Sequence, residues 1–90
     1  MPRYVIERDF PAGLGIPPGA EGADACRTVI ERNEQEGVTW IHSYVSDDRT
    51  KTFCVYDAPS PEAVRKTAAE SSLPVDGITE VRVLDPYLYF

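Results

Sequence analysis

The sequence predicts an α+β fold of the ferredoxin-like type, β-α-β-β-α-β: a four-stranded antiparallel sheet carrying two helices on one face. Three observations predict it. Strand-like runs rich in β-branched and aromatic residues recur at residues 3–9, 38–46, 52–57 and 78–84. Two segments, 20–36 and 60–71, carry apolar residues at helical spacing. Breaker-rich stretches separate these runs, and two right-handed crossovers then impose the sheet order 4-1-3-2.

The first strand alternates Tyr4 and Ile6 against Val5, Glu7 and Asp9. Residues 10–19 form a loop in which Pro11, Gly13, Gly15, Pro17, Pro18 and Gly19 are breakers. Its Gly13-Leu14-Gly15 lacks the third glycine and the Lys-Ser/Thr ending of a phosphate-binding loop. In the helix that follows, Ala23, Cys26, Val29 and Ile30 share one face, and Glu31, Arg32, Glu34, Gln35 and Glu36 meet water. Gly37 stops it. The middle strands form a hairpin around Asp47-Asp48-Arg49-Thr50-Lys51. Ser60 caps the second helix, with Pro61 at its first position and Glu62 in its first turn. Val64, Thr67, Ala68 and Ser71 form its inner stripe. The last strand ends at Asp85-Pro86. The apolar tail Tyr87-Leu88-Tyr89-Phe90 packs either on the chain's own surface or across a dimer, and both stay open.

Ninety residues make one domain, 1–90, with 85–90 as its tail. A chain this short buries about 60–65% of its unfolded surface, so its core is modest and a second copy is a common supplement. A net charge of −6 leaves no basic stripe for nucleic acid and disfavours anionic membranes. No apolar run nears the ~18 residues of a membrane span. With no signal-peptide pattern, and with Cys26 and Cys54 at no metal or redox spacing, the expectation is a reduced, cytoplasmic protein.

The helix-covered face should be aliphatic: Tyr4 and Ile6, Ile41 and Val45 with Ser43 between, Phe53 and Val55, Val81 and Val83. The open face then holds Val5, Glu7, Asp9, Trp40, His42, Tyr44, Cys54, Tyr56, Glu80 and Arg82. A five-residue turn at 47–51 pairs Tyr44 with Cys54 and His42 with Tyr56, which collects these groups on one face. A four-residue turn would instead pair Tyr44 with Phe53 and disperse them. The first register keeps both faces chemically coherent. It also exposes an apolar patch that calls for a partner. Two open sheets meeting face to face would make a homodimeric α/β barrel.

His42 is the one imidazole and a candidate proton carrier or ligand, or else a hydrogen-bonded interface histidine. Glu7 and Glu80 with Arg82 form a cross-strand ion pair or supply a carboxylate base. Cys54 is a small apolar filler or a thiolate ligand. An imidazole with a carboxylate and a thiolate (His42, Glu7 and Cys54) suits a borderline metal such as nickel or zinc. Trp40, His42, Tyr44, Tyr56, Glu80 and Arg82 would line a small-molecule site on the same face.

At Glu7-Arg8-Asp9-Phe10-Pro11, at 40–45 (Trp-Ile-His-Ser-Tyr-Val), at Cys54-Val55-Tyr56 with Ala58-Pro59, and at Leu73-Pro74 followed by Thr79-Glu80-Val81-Arg82, the chain resembles a bacterial family of small ferredoxin-like proteins. That family is related to a small nickel-binding protein. The resemblance covers nearly the whole chain apart from the loop at 11–19 and the tail at 87–90. It implies a homodimer, and nickel binding with His42 and Cys54 as the positions carried over. Nickel-binding relatives are richer in His in the first strand, in the second helix and before the Pro of the Leu-Pro pair. Here those places read 7–10 (Glu-Arg-Asp-Phe), Thr67-Ala68 and Leu73.

The reading that follows is a cytoplasmic dimeric binding protein with a small-molecule or nickel-like site on the open face. A cofactor-free cyclase, isomerase or oxygenase is the enzymatic alternative, with His42 as acid or base and Tyr44, Tyr56 and Glu7 in support. A structural dimer without ligand is the third.

Overall fold

In the computed structural model, which describes residues 1–16 and 19–88, the strands are β1 (Arg3–Asp9), β2 (Thr39–Val45), β3 (Lys51–Asp57) and β4 (Gly77–Val81). The helices are α1 (Ala20–Gln35) and α2 (Pro61–Glu70). Pro17, Pro18, Tyr89 and Phe90, assigned above to the loop and the tail, lie outside the described residues. The strands pair antiparallel in the order β2-β3-β1-β4, as the crossover rule requires.

Local chemistry accounts for the helix ends. Gly37, at φ 70°, follows the last turn of α1 in the left-handed region. Its N–H donates to the Glu34 carbonyl at 3.1 Å, and the Val38 N–H donates to the Asn33 carbonyl at 2.9 Å. This pair of bonds is a Schellman cap, and it delivers Val38 into the core. Ser60 Oγ accepts from the Ala63 N–H at 3.2 Å and opens α2. At the other end of α2, Ser72 takes the left-handed position at φ 55° without being glycine.

The register differs from the expected one. Val45 pairs with Thr52, Tyr44 with Phe53, Ser43 with Cys54 and His42 with Val55, so the four-residue turn holds. A bulge at Ile41 then returns Trp40 to Tyr56. One row across the sheet is thus Glu80-Tyr4-Tyr56-Trp40 and the next is Ile78-Ile6-Cys54-Ser43. Both lie on the helix-covered face, where Ile6, Tyr4, Tyr56, Cys54 and Val64 form the core. The opposite rows are Val81-Arg3-Asp57-Thr39, Thr79-Val5-Val55-His42 and Gly77-Glu7-Phe53-Tyr44.

Phe53, Val55 and Val81, expected under the helices, therefore sit on the open face. Val83 is exposed beyond β4. Trp40, Cys54, Tyr56 and Glu80, expected on the open face, lie on the helix-covered side. The physical reason is volume. The helices turn small residues inward: Gly22, Cys26 and Val29 from α1, Val64, Thr67 and Ala68 from α2. Native packing density then demands bulk from the sheet, which the aromatic rings supply. Ala23 and Ile30, expected on the inner face of α1, are exposed. No helix of the described residues is long and apolar enough to cross a membrane.

Candidate functional site

Those rings do not fill the space beneath α1 completely. A cavity of about 470 Å³ remains between α1, the loop after β1 and the sheet. That is ample for a small molecule. Phe10, Leu14, Ile16, Ala25, Cys26 and Val29 wall one side; Trp40, Val45, Cys54 and Tyr56 form the sheet side. Thr52 and Ser43 add hydroxyls, and the Ser43 Oγ already accepts from Trp40 Nε1 at 2.8 Å. Residues three apart in a regular strand point to opposite faces; the bulge at Ile41 brings these two together. Trp40 then meets Tyr56 edge to face, centroids 6.4 Å apart.

The loop after β1 is fastened to the hairpin turn. The Phe10 N–H donates to the Thr50 carbonyl at 2.6 Å, and the Leu14 N–H donates to the Arg49 carbonyl at 2.7 Å. These bonds hold Phe10 and Leu14 in the cavity wall. The turn is itself organised by Asp48, whose Oδ1 accepts from Ser46 Oγ at 2.7 Å and from the Thr50 hydroxyl at 2.7 Å and N–H at 3.0 Å. The Thr50 hydroxyl and then the Ser46 hydroxyl hold the Asp48 carboxyl down at about 2.

Arg8 also lines this space. Its side chain continues the inward period of Tyr4 and Ile6, and it is 2% exposed. Nη1 donates to the Pro74 carbonyl at 2.7 Å and Nη2 to the Tyr56 hydroxyl at 3.3 Å. The guanidinium carbon lies 5.8 Å from the Tyr56 ring centroid. Nε is buried without a partner. Burial pushes the Tyr56 phenol up, and the positive charge of Arg8 pulls against it.

The expected open-face site is dispersed. His42 and Tyr44 do stand together there, edge to face with centroids 5.2 Å apart. Both are exposed, Tyr44 at 63%. Glu7 shares the face but lies beyond Phe53, two strand spacings or ~10 Å from the Tyr44 backbone. Trp40 and Tyr56 instead form part of the cavity, and Cys54 is buried on its floor. Glu80 lies opposite Tyr4 on the helix-covered side, so it cannot join Glu7 in a pair. Arg82 is exposed past the end of β4.

His42, Glu7 and Cys54 are therefore not a ligand set: Cys54 faces away from the other two. Among the described residues no group of three His, Cys, Asp or Glu comes together to hold a metal ion. Among the described residues, one chain by itself brings together no donor set that fits a resident nickel ion.

Arg8 is the residue that the sequence reading missed. The signal was there, since a period of two that takes Tyr4 and Ile6 inward takes Arg8 inward as well.

Comparison with known proteins agrees with the fold. The crystal structure of SCO4226 from Streptomyces coelicolor A3(2) superposes with a TM-score of 0.71 at 17% identity, covering 90% of this chain and 96% of that one. No curated protein matches. The sequence profile of the family described as "nickel responsive protein SCO4226-like" matches residues 4–81. By that match the chain belongs to the SCO4226-like family of nickel-responsive proteins.

Proposed function

We propose that this chain is a small-molecule-binding protein whose ligand occupies the cavity beneath α1. One observation carries this reading: about 470 Å³ of space walled by apolar side chains, with a buried guanidinium in its lining. A half-open apolar cleft of that size leaves its wall side chains short of packing partners, and a ligand that fills it stabilises the folded chain. The family's nickel response is a property of its named member, and a cytoplasmic, non-enzymatic role suits this reading.

Trp40 is the single tryptophan and belongs to the cavity wall, so its emission reports occupancy. Titration with decanoate should change that emission and saturate at one site per chain. Val29→Phe, which narrows the space from the α1 side and adds no second indole, should weaken the response. A flat titration up to about 1 mM, with no heat in calorimetry, sinks the reading.

A second reading concerns the open face, where Val5, Val55, Phe53, His42 and Tyr44 are contiguous in the register. We propose that a second copy of the chain covers them, as two sheets packed face to face. A sedimentation mass of twice 10.0 kDa supports this, and a mass of 10.0 kDa at high concentration refutes it.

A further inference from the structure

The charges around the cavity run against those of the chain. The sequence holds 15 acidic residues to 9 Lys and Arg. Yet the charged residues among the described cavity lining are Arg8 and Arg49, and neither Asp nor Glu joins them. Arg49 is exposed, with Nη2 donating to the Ile16 carbonyl at 3.4 Å. Arg8 is buried, and its partners are the neutral oxygens of Pro74 and Tyr56. A buried charge without a counter-charge is costly, and proteins ordinarily supply a carboxylate.

On the other face of β1 even the half-exposed Arg3 has such a partner. There Arg3 Nε donates to Asp57 Oδ1 at 2.9 Å and Nη2 to Oδ2 at 3.3 Å, a fork on one carboxylate. The corresponding edge of Arg8 has Nη2 on the Tyr56 hydroxyl and Nε on nothing. Tyr56 accepts that bond, and the buried Asn33 side chain adjoins the same hydroxyl. One donor of a residue that lines an apolar cavity thus lacks an acceptor, and the charge it carries lacks its opposite.

We infer that the cavity takes a singly charged amphipathic carboxylate, its apolar tail against the α1 wall and its head group toward the unmatched guanidinium of Arg8. The inference rests on the cavity being the ligand site and adds the class of ligand. One buried cation balances one negative charge, which separates this class from nucleotides and other polyphosphates. The apolar walls exclude small hydrophilic acids.

The test compares decanoate with 1-decanol, equal in chain length and differing in charge, by calorimetry on the full chain at pH 7. Decanoate should bind about tenfold tighter or more. In Arg8→Met the preference should fall to within about threefold. Should Arg8→Met fail to fold by circular dichroism, Arg8→Gln, neutral and still able to donate to the Pro74 carbonyl, should lower the same preference. Decanol binding as tightly as decanoate to the wild type overturns the head-group assignment and leaves the cavity reading standing. A preference unchanged in a folded Arg8→Met overturns it too. If neither compound binds, the cavity reading itself falls and this inference falls with it.

Discussion

At the scale of single residues, burial separates those that hold the fold from those available for contact. Ile6 is fully buried between the sheet and the helices, and Ile6→Ala should cost about 2–5 kcal/mol in urea unfolding. His42 is exposed on the open face, and His42→Ala should change monomer stability by no more than about 0.5 kcal/mol. Equal losses for the two would contradict the register. Asp48 gives a pH signature. Its folded value of about 2 lies below the usual 3.8, so its contribution is fully present above 3.8 and is lost as pH falls through 2. The melting-temperature gap between the wild type and Asp48→Asn should therefore narrow between pH 4 and 2. A constant gap would mean that the turn does not depend on this charge. Arg8 shows what residue types alone conceal. An arginine in a strand reads as solvated until the period of its neighbours is carried one step further.

At the scale of elements, most boundaries were legible because caps and breakers act locally. Ser60 and Gly37 start and stop helices through bonds to residues three positions away, and Pro61 acts through its fixed φ. Ser60→Ala should cost about 1 kcal/mol and lower the melting temperature by roughly 4–8 °C. Ser72→Gly should raise stability by up to about 1 kcal/mol, since Ser72 sits at φ 55° where glycine bears no steric penalty. No gain from Ser72→Gly would indicate that its side chain compensates locally. The hairpin register was not legible. Four- and five-residue turns fit the same polar segment, and the preference for aliphatic residues inside selected the wrong one. The bulge at Ile41 left no mark in composition, since Trp40-Ile41-His42 alternates acceptably in either reading.

At the scale of the molecule, the open face and the cavity are consequences of one register. Phe53 and Val55 become surface residues, while Trp40, Cys54 and Tyr56 become cavity wall. Phe53→Lys places a charge in the middle of the apolar rows and should shift a dimer toward 10.0 kDa in sedimentation with little change in far-ultraviolet dichroism. A mass unaffected by Phe53→Lys would move the self-association surface elsewhere. Tyr87, 92% exposed at the end of the chain, offers a second apolar contact that such a dimer could cover.

The order of elements, the sheet order and the helix ends were determined by the sequence itself. Each follows from local hydrogen bonding, from periodicity or from the handedness of crossovers. Which face of each strand meets the helices was decided only in the tertiary structure. That choice depends on the volume the helices leave, and small inner faces on α1 and α2 draw Tyr4, Tyr56 and Trp40 inward whatever their polarity. The cavity and the unmatched charge of Arg8 exist because those rings and the small inner face of α1 do not close the space completely, a property of packing that no single segment encodes.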